Sequence, residues 1–120
     1  SNQLTKLPEY IGQLESLTEL VFSRNQLTKL PKSIVDLKHL ALLRCFDNQL
    51  TKLPESIGKL ASLAMLDCSG NKLIKLPDSI GQLTRLTELD CHQNQLKELP
   101  KQVMSLLQLT MLRLDGNELQ

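Results

Sequence analysis

Three cysteines, two histidines and a set of carboxylates are the residues in this 120-residue chain with chemistry to offer. Cys45, Cys68 and Cys91 could in principle donate thiolates to zinc. Structural zinc takes four ligands gathered around one point. Cysteines spaced 23 residues apart, one per repeat, offer a column and not a point. Phe22 and Leu114 occupy the same repeat position, so the cysteines are expected as small core hydrophobes. Reduced, buried thiols would suit a reducing compartment. Cys91 and His92 are adjacent, but neighbours on a strand point to opposite faces. A nucleophile–base pair is therefore excluded. Asp67, Glu88 and Asp90 lie close enough to suggest a cation, yet calcium wants six or more oxygens, which three carboxylates on a flat sheet do not supply. No glycine-rich phosphate loop and no paired acid–base cleft is visible. The expectation is no catalysis, no metal and no cofactor.

The elements that position these residues come from a repeat. Asn2, Asn25, Asn48, Asn71, Asn94 and Asn117 recur every 23 residues without slip, and a period of this size means a stacked array. Around each runs Leu-x-x-Leu-x-(Leu)-x-x-Asn-x-Leu-x-x-Leu-Pro-x-x-Ile-x-x-Leu-x-x. Leu20 and Phe22 alternate with Glu19, Val21 and Ser23, the period of a strand with one buried face. Strands are expected near residues 18–23, 41–46, 64–69, 87–92 and 110–115, after a partial coil over residues 2–16. Pro31 fixes φ and suits a first helical turn. Ile34 and Leu37 then keep the three-residue spacing of a short helix or 3₁₀ turn. One coil cannot bury its leucines alone, whereas stacked coils shield one another.

These residues resemble the leucine-rich repeat family in its 23-residue form, with Leu-Pro after the asparagine loop. The match spans essentially the whole chain, with six registers in agreement. The resemblance implies an α/β fold: a curved, horseshoe-like solenoid with a parallel concave β-sheet and short helical or 3₁₀ convex segments. It also implies protein recognition through the concave strands. The Leu-Pro-x-x-Ile-x-x-Leu segments look most like intracellular and bacterial members, including those tied to small-GTPase signalling or to bacterial effectors. A branch of bacterial ubiquitin ligases joins such repeats to a catalytic domain, but this period is longer than the repeats typical there.

The asparagines Asn25, Asn48, Asn71, Asn94 and Asn117 are expected to form a structural ladder, their amides satisfying backbone groups where strand pairing stops. Lys6, Lys29, Lys52 and Lys75 form another column, broken at Glu98. It reads as a solvated rim, with an anion-facing stripe as the alternative. A net charge of +1 and 2% aromatics argue against nucleic acid as the partner, and no apolar run is long enough for membrane insertion.

What varies on the outer strand face is where function is expected. One column reads Glu19, Leu42, Met65, Glu88 and Met111. The next reads Val21, Arg44, Asp67, Asp90 and Arg113. The third reads Ser23, Phe46, Ser69, His92 and Asp115. Val21, Leu42, Phe46, Met65 and Met111 make an apolar strip rimmed by charge, the signature of a partner site. Arg44 and Arg113 are of the type enriched at hot spots. The strip and its adjoining loop carry an acidic excess, which favours a protein partner with a basic surface. The runner-up reading is a structural spacer within a larger enzyme or GTPase-linked signalling protein. No secretion leader opens the chain, so a cytoplasmic location is expected, or a host cytosol for an effector. The single solenoid domain, residues 1–120 with about five coils, lacks polar caps and is expected to be a piece of a longer array. Met104 replaces the glycine seen at Gly12, Gly58 and Gly81, and Leu107 adds a further apolar residue. Self-association through these uncapped ends is the alternative.

Overall fold

The computed structural model describes residues 5–119; Asn2 and Gln120 lie outside them. Five strands, β1 (Glu19–Val21), β2 (Leu42–Arg44), β3 (Met65–Asp67), β4 (Glu88–Asp90) and β5 (Met111–Arg113), form one sheet in chain order. All neighbours are parallel. Leu20 pairs with Leu43, Leu43 with Leu66, Leu66 with Leu89 and Leu89 with Leu112. The sheet register thus equals the sequence period, and every repeat position becomes a physical column.

The strands are shorter than the alternation suggests, although ladder bonds continue beyond them. Ala41 N–H donates to Thr18 at 2.8 Å, and Phe22 and Arg24 N–H donate to Arg44 and Phe46, each at 3.0 Å. The extended run stops because the residue before each loop turns left-handed: Arg24, Asp47, Gly70, Gln93 and Gly116 have φ of 58°, 58°, 66°, 53° and 74°.

Opposite the sheet run 3₁₀ segments η1 (Glu9–Gln13), η2 (Lys32–Asp36), η3 (Ile57–Lys59), η4 (Asp78–Gln82) and η5 (Lys101–Ser105). Pro8, Pro31, Pro77 and Pro100 stand one residue before their segments and not inside the first turn, with extended ψ. Each proline carbonyl still accepts the first intrahelical N–H, from Ile11, Ile34, Ile80 and Val103. A helical segment is wider than the spacing between strands. The stack therefore fans open on the η side, and the sheet lines the inner, concave side. Between them the leucines and isoleucines close a continuous core; Ile34, Leu43, Ile57, Leu66, Ile80 and Leu89 are all fully buried. Leu20 is half-buried and Leu112 exposed, because each has a coil on one side only among the described residues.

Candidate functional site

The asparagine ladder frames the site. Asn48 Nδ2 donates to Phe22 O at 2.9 Å in the preceding coil and to Cys45 O at 3.0 Å in its own. Its Oδ1 accepts the Leu27 N–H at 3.3 Å. Asn71 and Asn94 repeat this set on Cys45 and Cys68, Cys68 and Cys91, and the amides of Leu50 and Leu73. Asn117 does so with Cys91, Leu114 and Leu96. Asn25 bonds Ser23 O at 3.1 Å. These amides satisfy backbone groups that strand pairing leaves open, which is a structural task.

The cysteines form a second column immediately before the ladder. All three are free and fully buried. Burial pushes the Cys91 thiol up to about 12, and Asp90 adds to this. Desolvation raises Cys45 and Cys68 as well. Protonated thiols of this kind are neither nucleophiles nor metal ligands near neutral pH. Burial by itself explains why they are unpaired, so they do not decide the redox compartment. His92 lies on the other face from Cys91, as strand parity requires, and its Nδ1 meets Asp90 Oδ1 at 2.5 Å.

On the concave face the three variable columns line up side by side. Glu19, Leu42, Met65, Glu88 and Met111 are successive register partners, as are Val21, Arg44, Asp67, Asp90 and Arg113. The apolar members are less open than an outward strip suggests. Val21 is 56% exposed, but Leu42, Phe46, Met65 and Met111 are half-buried. Leu42 and Met65 share one register pair and form a continuous apolar step; Glu88 separates them from Met111.

The charges are also partly spent within the face. Asp90 is only 8% exposed, its Oδ1 taken by the His92 ring and by the His92 backbone N–H at 3.2 Å. Asp67 Oδ1 accepts the Ser69 N–H at 3.1 Å and hydroxyl at 2.7 Å. Arg113 Nε donates to Asp115 at 2.9 Å, and this hydrogen bond holds the Asp115 carboxyl below its usual range. Arg24 pairs loosely with Asp47 at 4.0 Å. Arg44 is exposed and has no ion-pair partner among the described residues. Glu19 and Glu88 likewise form no ion pair among the described residues.

The repeat geometry agrees with sequence comparison. Residues 1–73 match the family model described as a leucine-rich repeat region. The chain belongs to the leucine-rich repeat family. Among solved structures it is similar to a leucine-rich repeat protein of Leptospira interrogans, with 42% identity and a TM-score of 0.97 over 99% of this chain and 30% of that one. It is also similar to YopM, a leucine-rich effector protein of Yersinia pestis, at 34% identity and TM-score 0.84, covering 98% of this chain and 31% of that one. The functional domain of InlJ from Listeria monocytogenes, which includes a cysteine ladder, matches at 30% identity and TM-score 0.82, over 96% of this chain and 23% of that one. This leucine-rich repeat chain thus spans about a third or less of these relatives. Among curated proteins none matches it significantly. No helix among the described residues is long and apolar enough to cross a membrane.

Two features of this solenoid lay outside the sequence reading. The left-handed column was signalled by Gly70 and Gly116, but Arg24, Asp47 and Gln93 hid it. Ser23 Oγ is buried without a hydrogen-bond partner, because Val21 stands where Asp67 serves Ser69.

Proposed function

We propose that this chain is a non-catalytic protein-interaction module that takes its partner on the concave sheet. The observation that carries the reading is the Leu42–Met65 step, with Phe46 on the same face and with Arg44, Glu19 and Glu88 beside it, none of them in an ion pair among the described residues. An apolar centre with a charged rim is what a partner site needs. Hydrogen bonding within the face occupies Asp67, Asp90 and Asp115, so steering toward a basic partner surface falls mainly to Glu19 and Glu88. The likeness to the Yersinia pestis effector supports a place within a bacterial effector protein; a signalling role and a site of action in the cytoplasm or in a host cytosol are part of the same proposal.

Affinity capture tests this with three folded proteins: the intact chain, R44E/F46A/E88K on the concave face, and K101E on the η side. A protein held by the first and third and lost by the second supports the reading. Equal capture by all three overturns it in favour of a structural spacer.

A further inference from the structure

Glycine recurs on the η side for a packing reason. A Cβ at Gly12 would lie 2.5 Å from the Ser33 carbonyl of the next coil, and one at Gly81 would lie 2.7 Å from that of Gln102. Gly58 packs on Ser79 in the same way, and its N–H donates to Ser79 Oγ at 3.1 Å. Two of these three contacts are also latched by a serine hydroxyl: Ser33 donates to Glu9 O at 2.5 Å and Ser79 to Glu55 O at 2.7 Å.

Coil two breaks the pattern. Val35 occupies the glycine position, and by the 23-residue register it stands against Ser56. An isopropyl group does not fit where a single Cβ would already clash. The consequences are visible in coil three. Ser56 leaves the helical region with φ −96° and ψ 22°, and η3 starts only at Ile57. No Ser56-to-Lys32 latch exists among the described residues, although the equivalent bonds exist on either side. At the entry to these two segments, where Lys32 and the unlatched Ser56 stand, opens a cleft of about 490 Å³, lined by Lys29, Leu30, Lys32, Lys52, Leu53 and Pro54, with Glu9, Glu55 and Ser56 completing it.

We propose that this cleft is a second docking site, separate from the concave face, for an acidic peptide segment that inserts one aliphatic or aromatic side chain. Its lining is mostly apolar, since the lysine stems add to Leu30, Leu53 and Pro54. Lys29, Lys32 and Lys52 have no carboxylate partner within ion-pair distance among the described residues. They outnumber Glu9 and Glu55 in the lining, so the site selects negative charge. Lys6 and Lys75 continue the exposed column on the flanking coils and extend the same preference along a bound strand.

The test is amide-shift NMR on the full chain, titrated with a blocked peptide of one leucine between two pairs of glutamates. The expected shifts centre on Leu30, Lys32, Ser56 and Ile57 and weaken with added salt. Val35→Gly restores the residue found in three other coils and lets the coils close while every lysine remains. It should lower affinity by about tenfold or more, as loss of one apolar anchor implies. K29E/K52E leaves the packing intact and should abolish binding, which covers the case in which V35G unfolds. A leucine-to-alanine peptide should bind more weakly, and a peptide with lysines for glutamates should not bind. Equal binding by V35G that is folded, by K29E/K52E or by the lysine peptide would overturn the proposal, as would shifts confined to the concave strands.

Discussion

Asn71 Oδ1 accepts the backbone N–H of Leu50, 21 residues earlier, at 3.0 Å. The same amide donates from Nδ2 to Cys45, Cys68 and Ser69 carbonyls, each at 3.0 Å. One side chain therefore closes its own turn and ties it to the coil before. Asn71→Leu would leave these buried groups unpaired, and the chain should lose roughly 1–3 kcal/mol for it. Urea unfolding checks this. Asn117, which is half-buried, should be more tolerant of the same change.

The cysteine column predicts slow native chemistry. Alkylation of all three thiols at pH 8 should be slow in the folded chain and fast in urea. Stability should also depend on alkaline pH. The folded thiols are held protonated while the unfolded ones ionise near their ordinary value of 9.0. The stabilisation is therefore intact below pH 9 and is lost as pH rises toward about 12, the Cys91 value. The urea midpoint should fall between pH 8 and 10.5, and fall less in C45V/C68V/C91V.

The glycine column predicts a packing cost. Gly81→Ala places a methyl group 2.7 Å from the Gln102 carbonyl and 2.9 Å from its Cβ. Despite the gain expected from removing glycine flexibility, the variant should be destabilised by about 1–3 kcal/mol. A raised thermal midpoint would show that coils four and five can separate freely.

Ser23 offers a stabilising change. Its buried hydroxyl lacks the carboxylate that Asp67 gives Ser69 at 2.7 Å. Val21→Asp supplies one at an exposed position whose register partner is Arg44. The gain should be about 0.5–1.5 kcal/mol, read as a higher melting temperature. A lower one would contradict the pairing.

Much of this was legible because the period is strict. Once Asn25 to Asn117 step by 23, parallel in-register stacking fixes which residues touch, and Phe22, Cys45, Cys68 and Cys91 fall into the core by parity alone. What the period does not encode is how side chains share a face. Asp90 reads as an open carboxylate in sequence, but His92 covers it. Phe46 and Met65 read as projecting, but both are half-buried. The glycine column shows the same limit. Met104 and Val35 both break it. The consequence of Val35 depends on Ser56 in the following coil, so it emerges only when the coils are stacked.

The concave face is the central claim, and site-specific photo-crosslinking tests it most directly. A photoreactive phenylalanine analogue would replace Phe46 on the sheet or, separately, Met104, which is 81% exposed on the η side. Both proteins would be irradiated in extract from the cells in which the chain acts. A discrete adduct from position 46, competed by unlabelled intact chain and missing from position 104, is the predicted result. No adduct from position 46, or the same adduct from both positions, would contradict a partner site on the sheet.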